Sequence, residues 1–129
     1  MNAHTQNNIK NHSETYKQLE QMLKDYFDGL HTGDTEKLRA LFHDDVVLKT
    51  PGKRRPRNEW LQDVATRPVP ETESLPYRFK VLNIEIEHDM AMAKVECPLF
   101  DYFYIDYLIF LKEDGQWRIV SKVYTDVNQ

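Results

Sequence analysis

The segment "DYLIFLKEDGQWRIVSKVY" (106–124) constrains the fold more than any other part of the chain. Two runs of aromatic, aliphatic and β-branched residues flank Asp114-Gly115, a pair that accepts positive φ and so favours the type I′ turn of a β-hairpin. With straight strands and a two-residue turn, Lys112 faces Trp117, Phe110 faces Ile119, Leu108 faces Ser121 and Asp106 faces Val123. One face then carries Tyr102, Tyr104, Asp106, Leu108 and Phe110 beside Trp117, Ile119, Ser121 and Val123. The other carries Tyr107, Ile109, Leu111, Arg118, Val120, Lys122 and Tyr124. The first face has less charge, so helices are expected to cover it, which sends Asp106 into the interior. A buried carboxylate is costly unless paired, and burial raises its pKa. Held neutral, Asp106 becomes a donor to negative charge developing on a bound carbonyl. Otherwise it only accepts hydrogen bonds from a tyrosine or a loop backbone.

The second face is too apolar for open solvent. The expectation is a homodimer through Tyr107, Ile109, Leu111, Val120 and Tyr124, with Arg118 and Lys122 pairing at its rim.

Upstream of the hairpin, residues 1–14 are polar and read as a flexible N-terminal segment, leaving 15–129 as a single domain. A helix is expected from Thr15, with Gln18 in the capping-box position and a stripe through Tyr16, Leu19, Met22, Leu23, Tyr26, Phe27 and Leu30. Gly33 ends it, and Asp34 caps a second helix that buries Leu38, Leu41 and Phe42. "VVLKT" (46–50) reads as a strand, "KRRPR" (53–57) as a basic loop, and Trp60, Leu61 and Val64 as a third helix. In "YRFKVLNIEIE" the alternation changes phase from Val81 to Leu82, which suggests a bulge in a curved sheet. "MAMAKVECPL" supplies another strand, expected to end or bend at Pro98. The fold class is therefore α+β: three helices on a curved, mostly antiparallel sheet in the order α-α-β-α-β-β-β-β.

A chain of 129 residues buries about 65–70% of its unfolded surface, enough for a core without disulfide or metal. Cys97 is the single cysteine, which fits a reducing compartment and a cytoplasmic location. No secretory signal and no apolar run long enough for a membrane helix occur. The formal net charge is −4 although four cations crowd into 53–57, so the rest of the chain is acidic and no nucleic-acid footprint is expected.

Both "GLHTGDTEKLRALFHDDV" (29–46) and "DYLIFLKEDGQWRIVSKVY" resemble the nuclear transport factor 2-like superfamily. They are closest to its bacterial subgroup described as "putative lumazine-binding", or SnoaL-like. The resemblance implies a cystatin-like cone with an internal cavity between sheet and helices. More distantly, the chain is similar to ketosteroid isomerase, whose oxyanion hole pairs a first-helix tyrosine with a protonated aspartic acid on a strand. Tyr26 and Asp106 fall at those two positions. The enzyme's general base is an Asp preceding a Pro; here "KTP" puts Thr50 there, and threonine does not take a carbon-bound proton near neutral pH.

The leading expectation is a small-molecule-binding module with an apolar cavity for a small aromatic or cyclic compound, with Tyr26, Thr50, Trp60, Tyr102, Tyr104, Asp106 and Ser121 as contacts. The alternative is an isomerase, dehydratase or cyclase using Asp106 as acid or base with His43 or a tyrosine. A structural dimer whose cavity is filled by its own side chains is the third reading. No metal and no cofactor are expected: His43, Asp44 and Asp45 are too close in sequence for a convincing site alone. Cys97 reads as a small buried hydrophobe, Gly29 as a place of close approach, and the 53–57 run as a solvated loop or an arginine fork for a phosphate or carboxylate.

Overall fold

The computed structural model describes the backbone of residues 2–128 and the side chains of residues 12–128. Its elements are α1 (Asn2–Thr32), α2 (Thr35–Leu41), β1 (Phe42–Thr50), β2 (Lys53–Pro56), α3 (Arg57–Thr66), β3 (Lys80–Glu87), β4 (Met90–Leu99), β5 (Tyr102–Glu113) and β6 (Gln116–Asp126). Helical backbone thus starts well before Thr15. Extending a nucleated helix adds one bond per residue fixed, and the Thr15–Gln18 pair lies inside α1 rather than at its start. The flexibility expected of residues 1–14 concerns side chains that, through residue 11, lie outside the described ones.

Gly33 closes α1 at φ 68°, and the Asp34 amide donates to the Gly29 carbonyl at 3.0 Å, the Schellman pattern. Asp34 then caps α2 by accepting from the Lys37 amide at 3.0 Å. Gly29 is needed for packing: a Cβ there would lie 2.8 Å from Leu38, whose side chain is fully buried. The core fills the space between these helices and the sheet, with Leu19, Leu23, Leu38, Leu108, Phe110 and Ile119 excluded from solvent.

All six strands form one sheet in the order β2-β1-β6-β5-β4-β3, antiparallel except for β1 against β6. The "KRRPR" run is therefore not wholly a loop, since Lys53–Pro56 pairs with β1. The expected phase change in β3 is present as a register shift between Val81 and Asn83, which leaves Leu82 exposed. Strand β4 runs through Pro98 to Leu99, because its pairing with β3 stops at Glu96 and Pro98 has no ladder bond to lose on that side.

The hairpin turn forms as expected, with Asp114 at φ 51° and Gly115 at φ 77°. Its far end departs from the straight register. Phe110 faces Ile119, but Ile109 faces Ser121, so Val120 is an extra residue on β6. Every β6 residue beyond it changes face, so that the inward Leu108 is opposite Lys122 and the inward Asp106 is opposite Tyr124 rather than Val123. Ser121 and Val123 move to the outer surface, while Lys122 and Tyr124 turn inward. The outer face thus keeps Tyr107, Ile109, Leu111 and Val120 but not Tyr124, and Lys122 is buried instead of pairing at a rim.

Candidate functional site

Past the Val120 bulge, the inner face of the sheet opens into a cavity of about 400 Å³. The sheet supplies Thr50 from β1, Arg55 from β2, Cys97 from β4, Tyr104 and Asp106 from β5, and Lys122 and Tyr124 from β6. Leu30 of α1, Trp60 of α3 and Arg67 just after α3 close the other side. The cavity is not filled by the protein's own side chains, against the third sequence expectation. Its volume falls in the range of ordinary ligand pockets, roughly 300–1,000 Å³.

Four buried polar groups meet at its base. The Tyr26 hydroxyl donates to Asp106 Oδ2 at 2.6 Å, the Cys97 thiol approaches the same oxygen at 3.4 Å, and Lys122 Nζ stands 3.8 Å from it. Asp106 is 2% exposed and Lys122 5%. The ammonium end of Lys122 lies over the rings of Trp60, Tyr124 and Tyr26, at 4.5, 4.9 and 5.2 Å from their centroids. Burial lowers its pKa, and the facing Asp106 carboxylate only partly opposes that. Burial first, then the Asp106 charge, pushes the Tyr26 phenol well above its usual range and raises the Cys97 thiol as well. Tyr26 therefore keeps its proton and gives it to Asp106 as a hydrogen bond. In this arrangement the tyrosine proton is committed to the carboxylate, so the two groups do not offer a ligand the paired donors of the ketosteroid isomerase hole.

The walls are aromatic and cationic. Tyr102 and Tyr104 stack at 5.3 Å, and Tyr104 meets Tyr124 edge-on at 5.6 Å. Arg55 donates to Asp63 at 2.8 Å and to the Tyr124 hydroxyl, yet its Nε is buried without a partner. Arg67 packs against the Phe100 ring at 5.9 Å and leaves Nη2 buried without a partner; burial lowers its pKa. Asp106 Oδ1 is likewise unpartnered. With Lys53 at the mouth, four cations stand against Asp106 and Asp126 among the lining residues. The cavity is thus polar and positive rather than apolar.

Of the residues expected from sequence, Thr50, Trp60, Tyr102, Tyr104 and Asp106 line this cavity. Tyr26 supports it from behind, fully buried. Ser121 points away, carried to the outer face by the bulge. His43 lies elsewhere, at the start of β1, where its Nδ1 is 3.0 Å from Asp44 and 2.7 Å from Asp45. These three could hold a cation only through surface groups, which are common without one. Sequence reasoning missed Lys122, Tyr124 and Arg67. It weighed Arg55 only as part of an arginine fork in a solvated stretch.

Among the described residues, no helix is long and apolar enough to cross a membrane. No curated protein matches the sequence. Solved structures do share the fold: an NTF2-like protein of unknown function from Shewanella baltica has a TM-score of 0.78 at 20% identity, covering 88% of this chain and 94% of its own. An NTF-2 like protein of unknown function from Silicibacter pomeroyi has a TM-score of 0.73 at 22% identity, covering 88% and 97%. A de novo designed protein with a curved β-sheet has a TM-score of 0.62 at 13% identity, covering 88% and 98%. The sequence profile of one family, described as "Putative lumazine-binding", matches residues 14–125. The chain belongs to this family and has the NTF2-like fold.

Proposed function

We propose that the domain binds a small, flat organic anion, an aromatic or cyclic molecule bearing a carboxylate, in the cavity above Asp106 and Lys122. The observation that carries this reading is the buried Arg67 Nη2 without a partner at the wall of a cationic, tyrosine-lined cavity. A buried donor left unpaired costs about 1–3 kcal/mol, which a bound carboxylate offsets with charge-assisted bonds. Tyr102, Tyr104 and Tyr124 offer ring faces and edges to the flat part of the ligand. The family's description names lumazine, a planar bicyclic heterocycle with ring carbonyls, and a ligand of that shape suits these walls.

The test is a thermal-shift titration with 2-naphthoate, 2-naphthalenemethanol and lumazine. The carboxylate is expected to raise the melting temperature and its neutral alcohol counterpart to leave it unchanged, with the shift lost in Arg67→Gln. Equal shifts from acid and alcohol would remove the arginine from the account. Lumazine tests whether the ring system suffices without a carboxylate.

The outer sheet face supports a second part of the reading, a homodimer. Tyr107 is 45% exposed, Met90 52% and Val123 43%, and Ile109, Leu111 and Val120 lie between them half-covered. Lys94 and Glu96 share this face, so a two-fold copy can match opposite charges across it.

A further inference from the structure

We propose that Lys122 is an amine nucleophile that forms an imine with the carbonyl group of a small 2-oxo acid held in the cavity. This deepens the anion-binding reading and rests on it: the carboxylate goes to Arg67 and Arg55, and the adjacent carbonyl goes to Lys122.

The placement of Lys122 carries the inference. Lysine is almost never fully buried unless it is paired, and here the pairing is incomplete. The nearest carboxylate oxygen, at 3.8 Å, lies beyond the roughly 2.7–2.9 Å of a charge-assisted bond. Three ring faces stand where water would otherwise solvate the ammonium, and their attraction for the cation recovers only part of that hydration. Burial lowers its pKa, with Arg67 and Arg55 acting in the same direction and Asp106 and Cys97 against it. A β-bulge was needed to turn this residue inward at all. An apolar side chain would fill the same place without the desolvation cost.

Asp106 supplies the proton traffic: it is the carboxylate that faces the amine, 3.8 Å away at Oδ2, a gap that a small shift of the lysine head closes, and its Oδ1 has no partner of its own. In the first step the ammonium gives one proton to the Asp106 carboxylate, leaving a free amine and a carboxylic acid. The amine lone pair then forms a C–N bond to the ketone carbon, the carbonyl π pair moves to oxygen, and a proton passes from nitrogen to that oxygen. Asp106 finally protonates the hydroxyl, the C–O bond breaks, and water leaves with the bonding pair. The products are a protonated imine on Lys122, one water and an ionised Asp106, so atoms and charge balance without any redox partner. Arg67 and Arg55 restrict the reaction to carbonyl compounds that carry an anion, and the tyrosines favour an aromatic substituent.

The full chain, incubated with phenylpyruvate and sodium cyanoborohydride, is expected to gain one reduced adduct, mapped by peptide mass spectrometry to Lys122. The adduct should be suppressed by excess 2-naphthoate and absent from Lys122→Met and from Lys122→Arg, which keeps the cation. The competition needs no variant and so stands even if one of them fails to fold. Labelling spread over surface lysines, or labelling that 2-naphthoate does not suppress, overturns the inference. So does a wild type that binds 2-naphthoate yet forms no adduct, which leaves the anion-binding reading standing. Absence of both binding and adduct overturns the two together.

Discussion

Replacing Tyr26 by Phe removes one oxygen and little else. The ring stays packed against Phe27 and Phe42, each with its centroid 6.0 Å away, and no cavity opens at a fully buried site. What disappears is the 2.6 Å bond to Asp106 Oδ2. That oxygen then keeps only the thiol of Cys97 at 3.4 Å, a weak donor, and Lys122 at 3.8 Å, while Oδ1 has no partner to begin with. A hydrogen bond to a charged group contributes about 1.5–3 kcal/mol, so Tyr26→Phe should destabilise the domain by about 2 kcal/mol. With an m-value of about 1–2 kcal/mol/M for a chain of this size, the urea midpoint should fall by about 1–2 M at unchanged m. Asp106→Asn and the double variant complete the cycle, and the coupling energy should be about 1 kcal/mol or more. A midpoint shift below about 0.3 M, or additive single effects, would refute the view that this hydroxyl stabilises the buried carboxylate.

Three further outcomes are expected. Gly29→Ala, which in an open helix would stabilise by about 0.5–1 kcal/mol, should instead cost about 1–3 kcal/mol by urea unfolding, because Leu38 occupies the Cβ position and is itself fully buried. Lys122 has a folded-state pKa below its usual 10.5, so in that interval the unfolded chain holds the extra proton and stability rises with pH. Wild type should therefore gain on Lys122→Met as pH climbs from neutral toward 10.5, with Tyr26, Tyr124, Cys97, Asp106, Arg55 and Arg67 around the site unchanged; parallel stability profiles would contradict this. Tyr107→Glu, on the outer face, should convert a dimer into a monomer by light scattering while leaving the melting temperature of the fold within a few degrees; an unchanged mass would remove this face from the interface.

Much of the fold was legible because several local signals agreed. The Asp114-Gly115 turn, the stripe on α1 from Leu19 to Leu30, the Gly33-Asp34 boundary and the phase change at Leu82 each have one reading, and the structure bears them out, although Tyr16, expected to begin the stripe, is exposed. Asp106 was legible as an inward acid because the extra residue lies on β6 and leaves the alternation of Asp106, Leu108 and Phe110 along β5 intact. The site was less legible because its decisive feature leaves no mark of its own. "RIVSKVY" contains no glycine or proline, and straight and bulged registers both give plausible alternations. Composition then favours the straight one, since it sends a lysine to solvent and a serine inward. Tertiary demands reverse that choice: β1 pairs Leu48 with Lys122 in parallel register, and Trp60, Tyr26 and Tyr124 receive the lysine stem and head. Arg67 lies in "TRPVP" and reads as the end of a helix, while only the folded chain turns it toward the tyrosines. The basic run likewise reads as one surface patch, yet pairing with β1 alternates it, so that Arg54 stays outside and Arg55 points inward.

Calorimetric titration of 2-naphthoate into wild type and Arg67→Gln at neutral pH tests the central claim most directly. The account predicts saturable binding at one site per chain in wild type, weakened at least about tenfold by the substitution, which corresponds to losing about 1.4 kcal/mol. Equal affinity in the two proteins, or no heat in either, would contradict an anion site in this cavity.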